Sequence, residues 1–180
     1  MLYMFIAEGF EEVEAIAAAD VLRRAGVETV LVGVGSKNVT GSHNFTVECD
    51  ITDSEISLDD SLQGVILPGG MPGTLNLENS KTVIDTVSFC AENGKLVAAI
   101  CAAPSILGHM GLLAGKSATC FPGFEKDLHG AVISNKFVCA HGNYITAKGM
   151  GSAVKFGLKI AEYFIGTQKA ANLEATLQCS

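Results

Sequence analysis

The sequence predicts a single α/β domain, residues 1–180, built on a doubly wound, mostly parallel sheet. Short and mostly apolar runs at Met1–Ala7, Val27–Val34, Gly64–Leu67 and Leu96–Ile100 read as strands covered by helices on both faces. Amphipathic helical stretches alternate with these runs, the pattern of a parallel sheet with crossover helices. Glycine-rich or sharply turning segments follow several of the runs. Ligands in such folds sit outside the carboxyl ends of the strands, at the switch point.

Composition limits the function classes. Hydrophobic residues make up 48% of the chain and mean hydropathy is +0.35, which argues against disorder. The net charge of −7 offers no basic surface for nucleic acid or an anionic membrane. No stretch reaches the roughly 20 apolar residues of a membrane span. The apolar start, Met1–Ala7, is broken by Glu8-Gly9 and does not read as a signal peptide. The 6 cysteines form no C-x-x-C pair and no zinc spacing with histidine, so no metal is expected. These features fit a cytoplasmic protein with reduced thiols.

Met1–Ala7 is the first strand and Glu8-Gly9-Phe10 its turn. Glu11–Ala25 reads as a helix, with Glu11 and Glu12 in the first turn, Arg23 and Arg24 in the last, and Gly26 as the stop. Glu14, Ala18, Val21 and Ala25 share one face of it. Glu14 is then either a solvated first-turn carboxylate or a buried carboxyl whose pKa desolvation raises. Val27–Val34 is the second strand, Gly33–Asn38 a loop, Phe45–Cys49 an extended edge piece and Asp50–Ser61 a surface connection. Gly64–Leu67 is the next buried strand. The loop after it, Pro68-Gly69-Gly70-Met71-Pro72-Gly73-Thr74, lacks the Lys-Ser/Thr of a phosphate loop and the spacing of a dinucleotide fingerprint. It is either an ordinary turn or a nest of N–H groups suited to an oxyanion.

Ser80 caps a helix that runs to Asn93 and stops at Gly94. A buried strand from Leu96 ends at Cys101 and turns at once into Ala102-Ala103-Pro104. Small residues at Ala99 and Ala103, with Pro104 suited to a first helical turn, fit a sharp strand-to-helix elbow that holds Cys101 over a helix N-terminus. Such a position acidifies a thiol; the competing reading is a small buried hydrophobe. A helix follows to about Met110. Ala118–Phe121 is extended, and Ala131–Ile133, Phe137–Ala140 and Asn143–Ala147 are β runs, the last two joined as a hairpin. Lys148–Ser152 is a glycine-rich turn, followed by a helix to about Phe164 and a final helical segment beyond Gly166. Cys49, Cys90, Cys120 and Cys139 read as packing residues and Cys179 as an exposed tail thiol.

Several of these segments together resemble the ThiJ/PfpI superfamily, in its DJ-one branch and as a bacterial-type member. The resemblance rests on Glu11-Glu12-Val13-Glu14, Asp20–Gly26, Leu67-Pro68-Gly69-Gly70, Ala98–Pro104 and Gly149–Ser152, and spans essentially the whole chain. It implies a flavodoxin-like three-layer sandwich and a homodimer. It makes Cys101 the nucleophile and Glu14 the carboxyl hydrogen-bonded to it. It places Gly69, Gly70 and Ala102 at an oxyanion hole and puts His43 where the family carries an arginine. Phe121, Lys148 and Met150 depart from the pattern, standing for a histidine, an arginine and a proline. Peptidases of the superfamily carry a histidine directly after the cysteine. Ala102 stands there, which argues against peptidase activity.

The activity implied is a cofactor-free glyoxalase or deglycase acting on a small aldehyde such as methylglyoxal, or on glycated protein side chains. The alternative is a redox-responsive stress protein or chaperone whose signal is oxidation of Cys101.

Overall fold

The computed structural model describes residues 1–179. Its strands are β1 (Leu2–Ile6), β2 (Thr29–Gly33), β3 (Asn38–Thr40), β4 (Thr46–Glu48), β5 (Ile51–Thr52), β6 (Gly64–Leu67), β7 (Leu96–Ile100), β8 (Ser117–Ala118), β9 (Val132–Ile133), β10 (Val138–His141) and β11 (Tyr144–Ala147). Its helices are α1 (Glu12–Arg24), α2 (Gly73–Asn79), α3 (Lys81–Glu92), α4 (Pro104–His109), α5 (Ala153–Ile165) and α6 (Thr167–Thr176). The main sheet has the order β10-β11-β7-β6-β1-β2-β5. Every neighbouring pair is parallel except β10–β11, which is the expected hairpin.

The strands are apolar on both faces because both faces are covered. Leu2, Met4 and Ile6 of β1 join Phe10, Ala15, Ala18, Phe156 and Ile160 on the side of α1 and α5. Tyr3 and Phe5 point the other way, toward Leu77, Val83, Val87, Ile106 and Leu107 of α2, α3 and α4. The result is a three-layer α/β sandwich. Sequence order reverses between β1 and β6, so the loops after β1, β6 and β7 gather at one edge, at the switch point.

Three elements differ from the expectation. The segment after Pro72 is not all loop: α2 forms there with no side-chain cap and a glycine in first position, leaving no signal to read. Ser80 then ends α2 and caps α3. The expected edge piece Phe45–Cys49 does contain β4, but it pairs in an antiparallel hairpin with β3, which begins where the expected loop ends. The connection Asp50–Ser61 contributes β5 to the sheet edge. Cys49, Cys90, Cys120 and Cys139 are buried as expected, whereas Cys179 is half-buried rather than exposed. No helix among the described residues is long and apolar enough to cross a membrane.

Candidate active site

β7 ends at Ile100, and Cys101 takes φ 65°, the left-handed region that side chains with a Cβ rarely occupy. Such a residue stores strain of about 1–3 kcal/mol and persists because its surroundings fix it. The Cys101 N–H donates to the Ala147 carbonyl at 2.9 Å, and the Phe121 N–H donates to the Cys101 carbonyl at 2.7 Å. Ala99 and Ala103 on either side are fully buried, so larger residues would not fit the bend. The thiol itself is only partly buried.

Gly69 and Gly70 meet this elbow from the end of β6. A Cβ on Gly69 would lie 2.5 Å from the Cys101 Cβ and 2.7 Å from Glu14 Oε2. Gly70 has φ 93°, and a Cβ there would overlap the backbone of Glu11. The two N–H groups serve different partners. Gly69 donates to Glu14 Oε2 at 3.0 Å, whereas the Gly70 and Ala102 N–H groups face the Cys101 sulfur. Gly69 therefore stands with Glu14 rather than among the donors at the sulfur.

Glu14 comes from the first turn of α1, where the Glu11 side chain accepts the Glu14 N–H at 2.9 Å. It is 1% exposed, so the buried alternative holds. Its Oε1 has no hydrogen-bond partner among the described residues. Burial raises its pKa to about 7, against the pull of the Cys101 thiol and the Gly69 N–H; nearby Glu11 adds repulsion, and the Met150 N–H, too far for a well-formed bond, adds a weaker pull. Cys101 departs from the expected acidification. Burial pushes its thiol up to about 12, and Glu14, as a charged neighbour and hydrogen-bond partner, pushes the same way; Ala102 and Gly70 N–H pull it back. The helix after the elbow has just 6 residues, too short to offset that burial. Carboxyl and thiol thus compete for one negative charge: a proton on Glu14 leaves the charge for sulfur.

His43 does not reach this pair. It lies on the β3–β4 turn with its side chain 68% exposed, its Nδ1 3.0 Å from Glu12 Oε2 and 3.9 Å from Glu11 Oε1. Glu12, read from sequence only as a first-turn charge, is a buried clasp. Its Oε1 accepts the backbone N–H groups of His43 at 2.7 Å and Phe45 at 3.4 Å. Glu11, Glu12, Val13, His43, Phe45 and Met150 line a cavity of about 210 Å³ beside the Cys101 loops. Phe121 covers Gly149, and Lys148 points elsewhere, its Nζ lying 5.5 Å from the Phe137 ring centre.

Residues 1–163 match the DJ-1/PfpI family. This chain belongs to that family. It is 38% identical over 169 residues to protein dj-1beta of Drosophila melanogaster, covering 92% of this chain and 90% of the relative. A Pyrococcus abyssi protein named as a deglycase is 31% identical over 147 residues, covering 81% of this chain and 87% of that protein. The structure of oxidized Toxoplasma gondii DJ-1 superposes with a TM-score of 0.93 at 31% identity, covering 98% of this chain and 97% of that one. The family likeness and the observed sheet agree on a flavodoxin-like fold.

Proposed function

We propose that this protein is a cysteine-dependent, cofactor-free glyoxalase or deglycase acting on small α-oxoaldehydes or early glycation adducts. One observation carries the reading: a carboxyl that exchanges its proton near neutral pH faces a partly exposed thiol flanked by two N–H donors. The Pyrococcus abyssi relative's name supports the same class.

With methylglyoxal, the sulfur attacks the aldehyde carbon while the Glu14 carboxylate accepts the thiol proton. Free thiolate then need not accumulate, which suits the high thiol pKa. The new oxyanion is held by the Gly70 and Ala102 N–H groups and takes up a proton, giving a hemithioacetal. Glu14, ionised again, removes the hydrogen on the former aldehyde carbon. It returns that proton to the neighbouring carbon through an enediol. The aldehyde carbon is oxidised to a thioester as the ketone carbon is reduced to an alcohol, so no outside oxidant is needed. Water adds to the thioester, the sulfur leaves, and lactate is released. Lactate production from methylglyoxal by the purified protein tests this. Production no higher than that of Cys101→Ser removes it.

A redox role is the second reading, favoured by the contrast between Cys101 and the buried Cys49, Cys90, Cys120 and Cys139. Peroxide would add one or two oxygens to Cys101, releasing water, and the Gly70 and Ala102 N–H groups would hold them. Mass spectra that show no selective oxygen uptake at Cys101 remove this reading. A homodimer belongs to both. Val13 and Ile16 of α1 and Phe45 of the hairpin are exposed together and line one cavity with Val47, an apolar surface for a second copy to cover. A solution mass of one 18.7 kDa chain would count against it.

A further inference from the structure

The cavity beside the Cys101 loops is mostly apolar at its surface, with the largely buried carboxylates of Glu11 and Glu12 directly behind it and no lysine or arginine in its lining. Glu11 and Glu12 stand there with His43, the one side chain in the lining able to carry positive charge. Glu12 already engages that imidazole at 3.0 Å. Glu11 abuts the oxyanion loop: its N–H donates to the Gly69 carbonyl at 2.9 Å, and its charge is felt at Glu14. The basic side chains of α1 are neutralised where they stand. Arg23 pairs with Asp50 and Arg24 with Asp20, both at 2.6 Å. A second copy seated on α1 would therefore bring an aspartate with each arginine it presented.

We infer that Glu11 and Glu12 set the charge class of the substrate: the site takes aldehydes that are neutral or cationic where they meet the cavity and turns away those bearing a carboxylate. The inference rests on the catalytic reading above for its chemistry and takes this cavity as the approach to Cys101, so the two carboxylates act on any electrophile that reaches the sulfur by it. A unit charge about 6 Å from a carboxylate, in a medium between protein and water, is discriminated by about tenfold. Salt weakens that discrimination as the screening length shortens.

The test uses two alkylating reagents of similar size, neutral iodoacetamide and anionic iodoacetate. Their rates at Cys101 are followed by peptide mass mapping and divided by the same ratio for N-acetylcysteine at the same pH. The expected result is a preference for iodoacetamide about tenfold above the reference thiol at low salt, shrinking as salt is added. Glu11→Gln should lower it. His43→Arg, which leaves the Glu12 clasp its N–H partners, should lower it too and covers the case in which the glutamine variant folds poorly. A ratio equal to or below the reference overturns the inference, as does one that His43→Arg leaves unmoved. A Cys101 that neither reagent reaches overturns it together with the catalytic reading.

The two can fail separately. Lactate production with no charge preference removes the inference alone. A charge preference without lactate production removes only the glyoxalase reading. In the enzyme assay the same carboxylates should favour methylglyoxal over 4,5-dioxopentanoate, an α-oxoaldehyde that also carries a carboxylate, in kcat/KM, and His43→Arg should narrow the gap.

Discussion

Glu12 and Glu14 sit two positions apart on one helical turn and live in opposite electrostatic worlds. Residues at i and i+2 face different ways, so Glu12 turns to the β3–β4 hairpin and Glu14 to the strand ends. Both are buried, at 8% and 1% exposed. Glu12 is nonetheless held below the ordinary carboxylate range. Burial opposes ionisation there, but the His43 ring and the N–H groups of His43 and Phe45 outweigh it together. Glu14 has one well-formed N–H donor, from Gly69, with the Cys101 thiol and a more distant Met150 N–H adding little, so desolvation wins and its pKa climbs to about 7. Burial alone does not decide a carboxyl's charge; the number of donors that come with it does.

The largest expected effect breaks the comparison at Glu14. Glu14→Gln keeps an oxygen for the Gly69 N–H but cannot take the thiol proton. Losing a general base costs about 10²–10⁴-fold in kcat/KM. The wild-type rate should rise with pH through about 7, and the variant should lack that limb. A variant that keeps both the rate and the limb would show that Glu14 is not the base.

The next effect is thermodynamic. Glu14 binds its proton more tightly in the folded chain than in the unfolded one, at about 7 against 4.5. Its favourable contribution is therefore complete below about pH 4.5, falls as pH rises to about 7 and is gone above that. The loss is about 3 kcal/mol. Glu12 has the opposite sign: its contribution is present above 4.5 and fades as pH falls through its lowered folded pKa. Denaturant titrations of Glu14→Gln and wild type at about pH 5 and about pH 8 isolate the first term. The variant should gain on the wild type as pH rises. A difference in stability that does not change with pH would mean that Glu14 is ionised in the folded state like its neighbour.

The contrast also marks what could be read from sequence. The Cys101 elbow was legible because its requirements are local: small residues at Ala99 and Ala103, and Pro104 to open the helix. The face of Glu14 was legible from helical period; the convergence of strand ends put it at the same edge as Cys101, and the family resemblance supplied their pairing. The role of Glu12 was not legible, since its donors lie 31 and 33 residues away on a hairpin that the sequence marks only weakly. The direction of the Cys101 shift runs opposite to what the elbow alone implies for a related reason. Elbow geometry is local, but desolvation is a sum over the whole surrounding fold. α2 escaped because it lacks a cap and opens on Gly73 within a loop rich in proline and glycine.

The smallest effect probes the Glu12 side of the comparison. Gly41 lies against the Glu12 carboxyl, and a Cβ there would overlap it. Gly41→Ala should push the carboxylate off the His43 and Phe45 N–H groups while leaving Gly69, Glu14 and Cys101 untouched. Hydrogen bonds to a charged acceptor are worth about 1.5–3 kcal/mol, but the hairpin N–H groups can turn to water once released, so a loss of about 1 kcal/mol is expected. Amide exchange should speed up at His43 and Phe45 and stay slow at Gly69. The pH limb assigned to Glu14 should remain near 7. Should that limb move along with the hairpin, the two carboxyls would prove to be coupled through α1 and not set separately by their own donors.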